Sequence, residues 1–546
     1  MLDIKRYLQE ILSRAASVRL GLSLKPEDIV LERPKQKEHG DWATSLALFL
    51  AKKRKGSPRD LAQALLESLS LDPKIVARVE VAGPGFINFH LASDYLYAAL
   101  ADLLRQGAGY GRSLRYSGRR AQVEFVSCNP TGPLTVGHGR QAAIGDALAR
   151  LLEWQGYQVE REYYFNDAGL QMRILANSVY LRYRQLLGEE VAFPEDHYQG
   201  QYISEIAAAC RAERGDGLGQ DDLEYFKNKA VEIIFADIRK TLKRLGIDFD
   251  RYFNESSLFA TGEIQRVLDD LRSAGMTYEH EGAVWFRATG FGAEKDRVLV
   301  RCSGEPTYRL PDIAYHRNKL ERGYDLILDI FGADHQATYP DVLAALKSLG
   351  YDVSRIEVRI HQFVTLMRGG QQVKMSTRKA NYVTLDELCD EVGVDAVRYF
   401  FLMRRLEAHL DFDLDLAKKQ SDENPVYYVQ YAHARICSIL AHAGEKGIAR
   451  ESGELSLLRE PEEIELIRFL LEFPELVQGA AEAREPHRLP TYLQELAGLF
   501  HNFYHKHRVV TDDLKLSNAR LDLCRAVKIV LANGLGLLGV SAPERM

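Results

Sequence analysis

Apolar positions recur at helical spacing over the start of the chain. Ile4, Leu8, Ile11, Leu12 and Ala15 share one face, which predicts an amphipathic helix over residues 2–20. A strand is expected near Ile29–Glu32, then a helix capped by Asp41 and running to about Lys55. Ser57-Pro58 opens another helix. Strands near Ile75–Val81 and Phe86–Leu91 follow, joined through Gly83-Pro84-Gly85, and Ser93 is placed to cap a closing helix. Residues 1–110 therefore read as an α+β unit, with the Gly- and Arg-rich stretch 105–120 as a linker.

The pattern then shifts to short apolar runs. Val123–Val126 and Tyr157–Phe165 suit buried strands, with a helix from about His138 between them. Residues 168–190 and 221–245 are long helical stretches separated by the polar segment Glu213–Asp222, and 276–287 reads as a hairpin. Parallel-sheet patterning resumes with Arg297–Cys302, Leu326–Phe331 and Ile356–Phe363. The alternation predicts a doubly wound α/β core over 111–384, with an insertion at about 168–290 and ligands at the strand C-terminal ends. From Leu385 to residue 546 the periodicity is helical, with helices near 421–443, 461–479, 487–509 and 517–537.

Composition narrows the class without changing that outline. The chain has 546 residues, 46% hydrophobic and 27% charged, which suits a soluble multidomain protein. No apolar run approaches the roughly 20 residues that span a bilayer, and the acid-containing first helix is neither a signal nor a transit peptide. A cytoplasmic protein with no membrane partner is expected. Six cysteines without a CxxC pair argue against a zinc ribbon or a disulfide framework. The net charge of −6 permits an RNA partner only through a local basic surface.

The densest chemistry lies at 123–150. Asn129, Pro130, Thr131, Gly132 and Pro133 break regular structure, and Thr135, Val136, Gly137 and His138 then arrive at a helix N-terminus. Free N–H groups and the helix dipole favour a phosphate there. Gly137 admits a flat ring or phosphate, and His138 can donate to a phosphoryl oxygen. Cys128 sits in this loop, so its alkylation is expected to block the site. A second loop, Val373-Lys374-Met375-Ser376-Thr377-Arg378, offers cations and a hydroxyl to a pyrophosphate leaving group.

Other candidates are acids and aromatics. Glu124 is an acid in an apolar strand: either it faces water at an edge, or it is buried and has a partner. Asp312, in Thr307-Tyr308-Arg309-Leu310-Pro311-Asp312, stands in the first turn of a helix. Gly332-Ala333-Asp334-His335-Gln336 follows a core strand, and Asn254-Glu255-Ser256 is a further pocket candidate from the insertion. Late in the chain, Tyr427, Tyr431 and Arg435, then Tyr504 and Arg508, interleave rings with cations. They are either the wet edge of a helix bundle or a surface that stacks bases. No triad, zinc cluster or P-loop is found; GDGLGQ at 215–220 has no strand before it and reads as a loop.

The string EFVSCNPTGPLTVGH resembles the HIGH signature of class I aminoacyl-tRNA synthetases in its arginyl-tRNA synthetase form, with Thr135 where the family's first His stands. VKMSTR resembles the family's KMSKS loop, with Thr377 for the second lysine, and the last 28 residues, from Ala519, resemble the end of the arginyl group's anticodon-binding bundle. The resemblance implies a Rossmann-like class I synthetase core with an α+β N-terminal domain and an all-α C-terminal anticodon-binding bundle. It implies activation of arginine by ATP with Mg²⁺, without zinc, and transfer to the 2′-hydroxyl of the terminal adenosine of tRNA(Arg) by a monomer.

The same resemblance implies site roles. His138, Thr135, Lys374 and Ser376 are catalytic. Pro130, Gly132, Gly137, Gly332, Asp334, His335 and Met375 join them around ATP. Glu124, Asn129, Tyr308, Asp312 and Gln336 hold arginine. Tyr427, Tyr431, Arg435, Tyr504 and Arg508 contact tRNA, and the N-terminal unit meets the tRNA elbow through Lys35, Lys37, Trp42 and the run Lys52-Lys53-Arg54-Lys55. The alternatives are a small-molecule nucleotidyltransferase, which shares T-x-G-H, a non-catalytic tRNA-binding paralogue, and another class I synthetase with a similar bundle, such as the cysteinyl enzyme, which would want zinc ligands that this sequence lacks.

Overall fold

The computed structural model describes residues 2–34, 36–54, 56–333, 336–373, 383–448 and 452–546. The first helix spans Ile4–Leu20 because Asp3 caps it, its carboxylate accepting the Arg6 N–H, and Gly21 ends it in the left-handed region. It packs against the helix Pro58–Leu66, which lies on an antiparallel sheet of β1 (Trp42–Thr44), β2 (Val76–Ala82) and β3 (Phe86–Leu91), in the order β1-β3-β2.

Three local expectations change here. The strand near Ile29–Glu32 reduces to a single bridge, Glu32 to Ala43. Asp41 caps no helix: it precedes β1, accepts the Leu91 N–H at 2.7 Å and pairs with Arg468. Ser93 is the first residue of the helix Ser93–Gln106, with Ala92 at the cap. For Asp41, pairing with β3 and with a helix far along the chain outweighs local capping. The expected linker is also fastened down. Tyr110 is buried and stacks on Phe473 at 6.2 Å, and Asn533 donates to its carbonyl. Gly111, at φ +91°, leaves room for that Phe473 ring, which a Cβ would meet at 2.9 Å.

The core sheet contains β4 (Arg120–Glu124), β5 (Gln158–Phe165), β6 (Arg251–Asn254), β10 (Leu326–Gly332) and β11 (Ile356–His361). All pairs are parallel, in the order β11-β10-β4-β5-β6. The chain runs outward from β4 in both directions, so the topological switch lies between β4 and β10. Ligand sites form at that crevice in doubly wound sheets. The inserted region is helical at Leu170–Leu186 and Leu223–Arg244, and also at Gln201–Arg214, a helix the sequence pattern did not show. Its last part returns β6 to the sheet edge.

Between β6 and β10 the chain forms a separate antiparallel sheet of β7 (Thr277–His280), β8 (Ala283–Phe286) and β9 (Arg297–Val300). β9 was expected in the parallel sheet. Only Leu299 of its residues is buried, so it lacks the two-sided burial of a parallel core strand. A further sheet joins β12 (Val364–Arg368), β13 (Gln371–Gln372) and β14 (Leu410–Asp413), in the order β13-β12-β14. β14 interrupts a region expected to be wholly helical; Leu410 and Phe412 are buried while Asp411 and Asp413 are exposed, the period of a strand.

The C-terminal bundle comprises Pro425–Glu445, Pro461–Leu470, Phe473–Ala483, Arg488–Lys506 and Leu514–Leu538. The single helix expected over 461–479 is two, because Pro474 lacks an N–H and starts a new helix. One buried residue ties bundle to core. Arg398 donates to Leu538 O, Leu245 O and the Asp146 carboxylate, joining the ends of two helices to the middle of a third. Among the described residues no helix is long and apolar enough to cross a membrane.

Candidate active site

The loop after β4 begins with Val126 and Ser127 at φ +68° and +37°, a backbone state that non-glycine residues seldom hold. Neighbours over-determine it. Ser127 Oγ accepts the Tyr164 N–H at 3.0 Å, and Tyr163 OH donates to Cys128 O at 2.9 Å. Cys128 itself is buried with Sγ 3.0 Å from Tyr163 OH, and burial pushes its thiol up to about 11. Its alkylation is therefore not the ready block that its position in sequence promised. Tyr202, from the inserted helix Gln201–Arg214, donates to Thr131 O at 2.6 Å and lies against Gly132.

The helix Val136–Trp154 starts at Thr135. It lies close to β4 because Gly145 has no side chain: a Cβ there would come within 2.1 Å of Phe125. Thr135 N–H donates to His138 Nδ1 at 3.2 Å, and Thr135 Oγ1 is 3.3 Å from the same nitrogen. An Nδ1 that accepts leaves the imidazole proton on Nε2, as a donor. Thr135, Gly137 and His138 are half-buried and Pro130 is buried.

Thr135 forms an antiparallel bridge with Thr384, and Leu385 N–H donates to Leu134 O at 2.8 Å. On the other side, Val373 N–H donates to Leu366 O at 2.8 Å. Lys374, Met375, Ser376, Thr377 and Arg378 lie outside the described residues, as do Asp334 and His335. The backbone that resumes after residue 382 is thus pinned on the His138 loop. Gly332 ends β10, paired with His361, and Gln336 is exposed.

Beside this loop the acids converge. Glu124 ends β4 almost fully buried, and its partner is Lys319, itself fully buried. Lys319 also pairs with Asp329 at 2.6 Å, and Asp329 takes His316 Nε2 at 3.1 Å. Against its burial, Lys319 and His316 hold Asp329 below the usual carboxylate range. Asp312, in the first turn of the helix Arg309–Glu321, has no such ion pair among the described residues. Burial pushes its carboxyl up to about 7; His316 and Lys319 oppose, while Glu255 and Glu124 add to the rise. Burial likewise raises Glu255, which accepts from Tyr164 OH at 2.7 Å. Three acids under one another's influence, only partly balanced by Lys319, make a site that favours a cation. Lys319 went unnoticed in the sequence, where the sole signal was its place seven residues after Asp312 on the same helix face.

The remaining candidates divide. Asn129 Nδ2 donates to Gln171 Oε1 at 2.5 Å. Tyr308 is 55% exposed and carries the Arg309 guanidinium over its ring at 4.9 Å. Asn254 and Ser256 both donate to Asp167.

In the bundle, Tyr427 and Tyr431 stack at 6.1 Å, and Arg435 lies over Tyr431 at 4.6 Å and Tyr504 at 5.3 Å. Tyr431, Arg435, Tyr504 and Arg508 line one open cavity of ≈ 890 Å³, with Lys446 and Arg545. Of the N-terminal candidates, Trp42 is buried under Arg33 at 4.6 Å and presents no ring to a partner. Lys52 and Lys53 are exposed. Lys35, Lys55 and the side chains of Lys37 and Arg54 lie outside what is described.

Known proteins match along the chain in the same order. "Arginyl tRNA synthetase N terminal domain" matches residues 2–91, "tRNA synthetases class I (R), catalytic domain" matches 100–401, and "DALR anticodon binding domain" matches 429–546. An arginine–tRNA ligase of Desulfotalea psychrophila is 52% identical, over 94% of each chain. One from Salinibacter ruber is 52% identical over 100% of each. Among solved structures, the arginyl-tRNA synthetase of Thermus thermophilus superposes with a TM-score of 0.78 at 25% identity, covering 100% of both chains. The N-terminal unit, the parallel-sheet core and the helical bundle thus have their counterparts in proteins of one kind, and the chain belongs to the arginyl-tRNA synthetases, the class I arginine–tRNA ligases.

Proposed function

We propose that arginine and ATP meet at the crevice between β4 and β10, where the chain forms arginyl-adenylate before passing the arginyl group to tRNA(Arg). The arginine carboxylate attacks the α-phosphate in line, and pyrophosphate leaves. No side chain needs to act as a nucleophile. Thr135, Gly137 and the donor Nε2 of His138 face the phosphates at the helix N-terminus. Lys374 and Ser376 serve the leaving group. Pro130, Gly132, Gly332, Asp334, His335 and Met375 complete the ATP site.

Glu124 and Asp312 take the guanidinium, Tyr308 packs on the arginine side chain, and Asn129 and Gln336 line the rest. A planar cation with several donors is matched by carboxylates in its plane. The 2′-hydroxyl of the terminal adenosine then accepts the arginyl group, with activation dependent on bound tRNA. Among the described residues no group of three or more His, Cys, Asp or Glu is placed to hold a metal. Mg²⁺ enters this reading with the ATP phosphates, as the charge partner of the triphosphate.

The proposed division of labour is residues 1–110 for the tRNA elbow, 111–384 for chemistry and 385–546 for the anticodon. The chain would act as a monomer in the cytoplasm, with Tyr427, Tyr431, Arg435, Tyr504 and Arg508 on the anticodon stem-loop. The observation that carries this reading is the Thr135–Thr384 bridge next to the Glu124–Asp312–Glu255 acids. The bridge supports reading the loop before His138 as the phosphate side, since the chain after residue 382 rests on it, and the acids supply the charge that a guanidinium requires. The test is aminoacylation of total tRNA with each of the twenty amino acids. Arginine alone should be charged; charging of another, or of none, would overturn the assignment.

A further inference from the structure

Arg140 lies two residues after His138 on the same helix and is fully buried. A buried guanidinium normally meets a carboxylate, because desolvating the charge costs several kcal/mol. Arg140 instead donates only to backbone carbonyls: Gln362 O at 2.7 Å, Arg405 O at 2.9 Å and Ala408 O at 3.0 Å. Among the described residues it forms no ion pair; burial lowers it to about 10, and the charge of Glu407 offsets only part of that.

The carbonyls it gathers are not scattered. Gln362 lies just before β12, and Arg405 and Ala408 lie in the turn just before β14. β12 and β14 begin side by side, Val364 opposite Leu410, and Gln362 N–H donates to Leu406 O across the same junction. One planar group therefore fixes where both strands start, relative to the first turns of the helix that carries His138. A methionine of similar length would fill the space without burying a charge. Only the fan of N–H donors explains a guanidinium here.

We propose that Arg140 is a positioning residue for the ATP half-reaction, setting the β12–β14 sheet at a fixed distance from the phosphate-binding end of the His138 helix. This rests on the placement of ATP at that helix end. Arg140→Lys keeps the charge but loses the fan; Arg140→Met keeps the bulk and loses both. His138→Ala, measured alongside, reports on the ATP placement itself.

In steady-state aminoacylation, Arg140→Lys is expected to lower kcat/KM for ATP about tenfold, as small displacements of a reacting group do. Arg140→Met should lose more, with the KM values for arginine and tRNA nearly unchanged in both. If ATP parameters stay normal in Arg140→Lys while His138→Ala is impaired, Arg140 is no positioning residue. Equal losses toward ATP, arginine and tRNA would likewise overturn the proposal, since that is what a purely structural role gives. Normal ATP kinetics in His138→Ala would instead remove the ATP placement beneath it. Should the Arg140 variants not fold, hydrogen exchange on the unaltered enzyme decides. ATP should slow exchange at 403–409, and unchanged exchange there overturns the proposal.

Discussion

Asp312 sits in an environment far from its chemistry in water. With its carboxyl pushed up to about 7, close to half of the empty sites hold a neutral acid at neutral pH. In the proposed arginine site the guanidinium stays charged and needs the carboxylate, so binding there would expel the proton. Arginine affinity should therefore fall about tenfold per pH unit below 7 and level off above it; calorimetric titration in buffers of different ionisation enthalpy would count the proton. Stability has the opposite sign. The folded value lies above an unfolded one of ~3.9, so the contribution to stability is full below the unfolded value and is lost as pH rises from there through about 7. Asp312→Asn should accordingly cut kcat/KM for arginine by about a hundredfold, the worth of a charge-assisted contact. It should leave ATP binding intact and raise the Tm of the empty enzyme at pH 8. A variant that charges arginine normally would remove Asp312 from the pocket.

Among the elements, the strand, loop and helix at 120–154 were readable from sequence because every determinant is local: an apolar run, Asn129-Pro130, and glycines where backbone must approach. The same locality made the Ser57 cap readable. What escaped depends on partners far away in the chain. Lys319 meets Glu124 from 195 residues off, and Asp41 takes Arg468 in the bundle, neither of which any window of sequence contains. β9 and β14 are four residues each, too short for period alone to say which sheet they join. The helix–strand contact at Gly145 makes its own prediction. Gly145→Ala forces a Cβ into the space of Phe125, and overpacking of this kind costs about 1–3 kcal/mol. Because the displaced helix begins at Thr135, chemical denaturation should show the lost stability and kinetics a raised KM for ATP. Wild-type values for both would mean that Phe125 yields without moving the helix.

For the whole molecule, the proposed reading divides recognition between the acids beside the sheet and an aromatic, basic cavity in the bundle. Tyr431→Ala should raise KM for tRNA about tenfold, within the range a stacked base contributes, and leave the KM for arginine untouched. An unchanged tRNA KM would return Tyr427, Tyr431 and Arg435 to the role of bundle edge. Fold class, domain order and the identity of the reaction were all visible in sequence through the two loop motifs and the last helix. How the parts are fastened was not, because the fastenings are single side chains, such as Tyr110 under Phe473, with no periodicity of their own.

Arg398 is the firmest of these fastenings, and it bears on how the chain comes apart. Three segments that merely touched would melt in turn on heating, each with its own endotherm. With the final carbonyl of Leu514–Leu538, the carbonyl of Leu245 and the carboxylate of Asp146 all resting on one sealed guanidinium, releasing any of them strands a charge in oil. Differential scanning calorimetry should therefore record a single peak for core and bundle together, and Arg398→Met should split it in two.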